Sequence, residues 1–70
     1  MSVDVPPGRY RHFKGGAYEV LLVARDTETE ERVVVYRALY GERGTWVRSQ
    51  ADFTAEIHRD GYRGPRFVRE

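Results

Sequence analysis

Residues 18–25 read YEVLLVAR and residues 32–39 read RVVVYRAL, with the polar run DTETEE at 26–31 between them. Val is stiff at χ1 and loses rotamer freedom in a helix, and Val and Tyr suit a pleated, half-buried surface. Both runs are therefore expected as strands, and the acidic run as the hairpin loop that joins them. Alternation is imperfect. Tyr18, Val20, Leu22 and Ala24 face one way, Leu21 and Val23 the other. Val34, Tyr36 and Ala38 oppose Val33, Val35 and Leu39. Strands apolar on both faces are central or covered on both sides.

Working outward, Lys14-Gly15-Gly16 is a turn, preceded by a short aromatic strand at 9–13. Gly41-Glu42-Arg43-Gly44 is a second turn, leading to a short strand at 46–48. Residues 49–57 read as one or two helical turns, with Ser49 or Asp52 as the cap and Phe53 and Ile57 on one face. Asp60-Gly61 and Gly64-Pro65 are turns, and residues 66–68 form a last strand. The expected architecture is mainly β: a small single-domain SH3-like barrel, or a strongly bent antiparallel sheet, with one short helical segment. Residues 1–7, with Pro6-Pro7 at their end, read as a flexible N-terminal tail, and residues 8–70 as the single small β domain.

Composition narrows the function classes. The chain has 70 residues, 40% of them apolar and 33% charged, which suits one small globular domain. A domain of this size buries only about 60% of its unfolded surface, so its stability margin is thin. There is no Cys, which removes disulfides, thiolate metal sites and a Cys nucleophile together. No run approaches the roughly 20 apolar residues of a membrane span. The first residues carry Asp4 and no apolar core of a secretory signal, so a cytoplasmic location is expected. Net charge is +1, too small by itself to imply a polyanion.

The run GRYRHFKG (8–15), then Tyr18, Val20 and Ala24, Val34-Val35-Tyr36 with Leu39-Tyr40, Trp46-Val47-Arg48, Phe53 and Pro65-Arg66-Phe67 resembles the bacterial family known as domain of unknown function 1653. The resemblance runs from about Gly8 to Val68 and rests on the combination of these pieces. It implies no activity and no established catalytic residues. Such sequences commonly carry Pro after the WVR-like Arg and a bulky apolar residue before the Phe. Here Ser49 and Asp52 stand there, which implies a different entry into the helical segment.

Few constellations carry chemistry. His12 and His58 are far apart with no second ligand at metal spacing, so no metal site and no cofactor are expected. Ser2 and Ser49 lie in no nucleophile motif, and the carboxylates at 26–31 sit in a solvated loop, so no catalytic residue is assigned. Gly41–Gly44 spells the GXXG clamp of KH domains, but its flanks read as strands, so it is a hairpin turn.

The strongest signal is basic and aromatic interleaving near both ends, at 9–14 and 59–69. Cations neutralise phosphates while aromatic rings stack on bases. The segment around Arg9–Lys14 and the last strand are expected to lie together as one face. Tyr10, His12 and Lys14 are assigned to its binding side, joined by Arg48 and Arg66, with Phe13 taken for the core. Trp46 is expected to be largely buried, the alternative being an exposed stacking platform. The leading function is a non-catalytic binding module for RNA or single-stranded nucleic acid. The alternative is a protein–protein interaction module, and the third is a small enzyme or an enzyme-accessory domain. The chain is expected to act as a monomer or weak homo-oligomer away from membranes.

Overall fold

A computed structural model describes residues 5–70. The order is β1 (Gly8–His12), β2 (Ala17–Arg25), β3 (Arg32–Ala38), β4 (Thr45–Ser49), α1 (Gln50–Phe53), β5 (Glu56–Arg59), β6 (Tyr62–Pro65) and β7 (Phe67–Arg69). Five strands form one sheet in the order β4-β3-β2-β1-β7, and β5 and β6 form a separate hairpin. All pairings are antiparallel. Of the two expected forms this is the open sheet: β4 and β7 are its edges, and among the described residues no barrel closes.

The two Val-rich runs are β2 and β3, joined at 26–31 as the polar run dictates. Asp26 Oδ1 accepts from the Glu28 and Thr29 N–H groups at 2.8 and 3.0 Å, which orders the loop. Val20 pairs with Tyr36 and Tyr18 with Ala38, placing these side chains on one inner face. A bulge then shifts the register between Val20 and Leu22. The extra residue re-aims every side chain after it. Val23 thus comes opposite Val34 on the inner side, and Leu22 moves to the outer face instead of continuing the Val20 row.

The core is aromatic. Tyr10, Val20, Val34, Tyr36, Phe53 and Phe67 are buried in one cluster. Phe53 stacks on Phe67 with centroids 4.0 Å apart, and meets Tyr10 edge-on at 5.5 Å. Of the tail expected at 1–7, residues 1–4 lie outside the described residues. Val5 is buried in the core cluster, and the Tyr10 hydroxyl donates to the Pro6 carbonyl at 2.8 Å.

The helical segment is shorter than its sequence suggests. Ser49 caps it, its Oγ accepting from the Asp52 N–H at 3.1 Å. Thr54 ends it by donating its hydroxyl to the Gln50 carbonyl at 2.8 Å. Ile57 is buried, but in β5 rather than on a helix face. Asp60 and Gly61, at φ 53° and 80°, make the two-residue turn that pairs β5 with β6. Such a turn commits both flanks to a hairpin, which the Phe53–Ile57 spacing conceals.

Trp46 overturns an expectation: it is 59% exposed. It lies on the inner side opposite Tyr36, but β4 is an edge and the four-residue α1 covers only the Phe53–Phe67 part of that face.

Candidate functional site

Strand direction sorts the charges. The turns at 13–16 and 39–44 lie at one end of the sheet, and the acidic loop at 26–31 at the other. The turn end carries Lys14, Arg43 and Glu42, and two depressions open there. One, of about 360 Å3, is lined by His12, Lys14, Gly16, Tyr18 and Tyr40. The other, of about 390 Å3, is lined by Ala38, Tyr40, the 41–44 turn and Trp46. Tyr40 is the ridge between them and is 52% exposed.

The ring positions have local causes. Tyr40 and Tyr18 share a hydrogen bond between their hydroxyls and meet edge-on at 5.5 Å. Burial, reinforced by that bond, pushes the Tyr18 phenol up to about 12. Trp46 lies back over Gly44, where an added Cβ would sit 3.2 Å from the indole Nε1. Both rings therefore stand on fixed supports with a face toward water.

A cluster of cations lies against Tyr36 and Phe67. Arg48 Nη1 meets Asp52 Oδ2 at 2.5 Å, its Nε points to the Tyr36 hydroxyl at 3.4 Å, and its guanidinium lies 5.8 Å over the Phe67 ring. The bond to Tyr36, more than the carboxylate, raises the Arg48 pKa. Arg66 donates to the Asp52 carbonyl at 3.2 Å and reaches its Oδ1 at 3.5 Å. Two guanidiniums thus share one carboxylate, which leaves positive charge in excess. Asp52 and Ser49, the two departures from the family pattern, supply the shared carboxylate and the helix cap.

His12 stands at the junction. Its ring packs against Phe13 at 4.6 Å and Phe67 at 4.9 Å. Its Nδ1 accepts from the Lys14 N–H at 3.2 Å, so the neutral ring carries its proton on Nε2. Burial first, then the charges of Arg48, Arg66 and Lys14, lowers its pKa.

Of the five residues assigned from sequence, the structure brings three, Lys14, Arg48 and Arg66, within electrostatic reach of a fourth, His12. Tyr10 stands apart. It is buried, 6% exposed, and burial raises its phenol pKa. The reason is the phase of β1. Its inner side faces the core, so Tyr10 takes the place given to Phe13, while Phe13 stacks on Tyr62 at 5.4 Å beside a separate depression with Arg11 and Val68. Sequence reasoning missed Tyr18 and Tyr40. Their one signal was position, each flanking a Gly turn next to a cation. The two end segments do meet: β1 pairs with β7, and the Phe13 N–H donates to the Arg66 carbonyl at 3.0 Å.

Among the described residues, no three His, Asp or Glu side chains are grouped to hold a metal ion. No helix among them is long and apolar enough to cross a membrane.

Fold and surface together define a small, mainly β domain with a basic, aromatic end to its sheet. The family described as protein of unknown function (DUF1653) matches residues 8–69, and the chain belongs to it. The crystal structure of a DUF1653 protein from Bordetella bronchiseptica is similar, with 38% identity and a TM-score of 0.86. The match covers 96% of this chain and 88% of that one. No curated protein matches the chain.

Proposed function

We propose that the domain is a binding module for single-stranded nucleic acid, RNA in the first instance, held at the turn end of the sheet. The observation that carries this reading is Trp46. A small domain needs large apolar anchors inside, yet its one Trp stands 59% exposed beside Tyr40. Rings on fixed supports lose little entropy when a base stacks on them. Lys14, Arg43 and the half-compensated Arg48–Arg66 pair supply cations for phosphates, and the acidic loop is kept at the far end. Glu42 and Asp52 temper that charge, so binding is expected to be weak and salt-sensitive rather than tight.

Trp46 is also the reporter, being the chain's only tryptophan. A short single-stranded RNA titrated at low salt is expected to quench its fluorescence, with affinity falling as salt rises. Stacking on an aromatic side chain is worth about 1–3 kcal/mol per base, so Trp46→Ala should weaken binding roughly five- to 150-fold when followed by a label on the RNA. An unchanged Trp46 emission and no bound RNA at low salt overturn the proposal. Capture of a protein partner that survives high salt would support the interaction-module reading instead.

A further inference from the structure

The β4 edge of the sheet is open on its outer side. Natural edge strands carry Pro, a bulge, or charges pointing inward. Thr45–Ser49 reads TWVRS, with no Pro and no register shift against β3, and its one charge, Arg48, is held on the inner face by Asp52, so the outer side carries none of these devices. Its central residue, Val47, is 65% exposed. Opposite Val47 in the sheet stands Val35, and opposite Val35 stands Leu22, itself 50% exposed. The outer face thus carries an apolar row that runs to the edge and stops there.

The hydrogen-bond phase of this edge fixes what can join it. The Ala38 N–H donates to the Gly44 carbonyl at 3.0 Å. In an antiparallel ladder, N–H and C=O groups point alternately toward and away from the neighbour. Trp46 and Arg48 therefore bond inward to β3, and Thr45, Val47 and Ser49 present their backbone groups outward. That outward set is self-complementary about Val47.

We infer that β4 is a homodimer edge, in which two copies of this chain pair their β4 strands antiparallel around a two-fold axis at Val47. In that register Val47 faces Val47 of the second copy, each exchanging N–H and C=O. Thr45 faces Ser49, whose N–H donates to the Thr45 carbonyl. The Ser49 carbonyl is already committed to the helix that it caps. On the outer face the Leu22–Val35–Val47 row continues into its own image. On the inner face Trp46 comes opposite Arg48 of the second copy, a non-hydrogen-bonded pair in which side chains approach closely. The pairing also leaves both turn ends open on the same side of one doubled sheet. The opposite edge offers no such match: β7 is three residues long and leads directly into the charged Glu70, which bonds back to Arg9.

The inference does not depend on what the inner face binds, because Val47 points to the outer side. The chain has no Cys, so a single introduced one reports contact cleanly. A hydrogen-bonded antiparallel pair places its Cα atoms about 5.5 Å apart, within the range that a disulfide spans. Val47→Cys is expected to form a disulfide-linked dimer at least about tenfold faster than Thr45→Cys, since two Thr45 residues lie about 13 Å apart in this register. Sedimentation of the parent at sub-millimolar concentration should show a dimer that Val47→Lys converts to monomer, with the Val47→Lys monomer keeping its folded circular dichroism. A monomeric parent overturns the inference. So do equal cross-linking rates for the two Cys variants, which would indicate random collision.

Discussion

The inner face of the sheet has two halves built from the same kind of residue. In one, Tyr10, Tyr36, Phe53 and Phe67 interlock and are buried. In the other, Tyr40 and Trp46 stand in water. Neither strand propensity nor residue type separates them, since Tyr36 and Trp46 are direct neighbours across β3 and β4. The difference is the lid. Helix α1 is one turn long, ends at Thr54, and brings a single aromatic side chain, Phe53, into the core. A longer helix would have closed the whole of the face. Aromatic residues under the lid therefore act on stability, and those beyond it are free to act on a ligand.

The sharpest break of this comparison is Phe53→Ala. Phe53 is among the most deeply buried side chains, and removing such a ring costs about 3–5 kcal/mol. That approaches the whole stability of a domain this small. The variant is expected to be largely unfolded at 37 °C by circular dichroism. A protein that melts near the parent temperature would show that the Phe53–Phe67 stack is not the centre of the core.

Trp46→Ala is the matching substitution beyond the lid. Its exposure limits the loss to under about 1 kcal/mol, so the melting temperature should move little while RNA affinity falls. A collapse in stability like that of Phe53→Ala would mean that Trp46 packs in solution as the sequence alone suggests.

That pair of variants also marks what was legible in the sequence. The strands at 18–25 and 32–39, their polar hairpin and the Ser49 cap follow from local chemistry, because β-branched runs, turn residues and caps act over a few positions. The bulge after Val20, the β5–β6 hairpin and the exposure of Trp46 depend on which strand lies next to which. Phe53 and Ile57 fit one helical face as spelling, yet Asp60-Gly61 pulls Ile57 into a hairpin. At the site, the charges were legible as composition at both ends of the chain. The swap of Tyr10 for Phe13 was not, since both readings of β1 alternate equally well and only the pairing with β2 and β7 chooses between them.

A smaller effect sharpens the electrostatic side of the comparison. Asp52 neutralises part of two guanidiniums and is itself partly exposed. The pairs are part-buried on the arginine side, so Asp52→Asn, which keeps the N–H that Ser49 caps, should lower the melting temperature by a few degrees at most, about 1 kcal/mol. It should tighten RNA binding, because Arg48 and Arg66 lose their competing anion. Arg48→Gln should do the reverse. Equal affinity for the parent and both variants would place the bound strand elsewhere on the domain.

The smallest expected effect is a pH slope centred on His12, which sits where the covered and open halves meet. Its neighbours are Phe13, Phe67 and Tyr18, and the charges acting on it are Arg48, Arg66 and Lys14. Burial and those cations hold its pKa below the usual 6.5. Between the two values the unfolded chain binds the proton and the folded chain does not, so stability rises with pH across that window. The contribution is complete above 6.5 and is lost as pH falls through the folded value. His12→Gln should therefore flatten the melting temperature just below pH 6.5, where the parent slopes downward toward acid. A bound anion changes the sign of the local field. Saturating inorganic phosphate should relieve the acid loss in the parent and leave His12→Gln unmoved, whereas an identical slope in both proteins would remove His12 from the site.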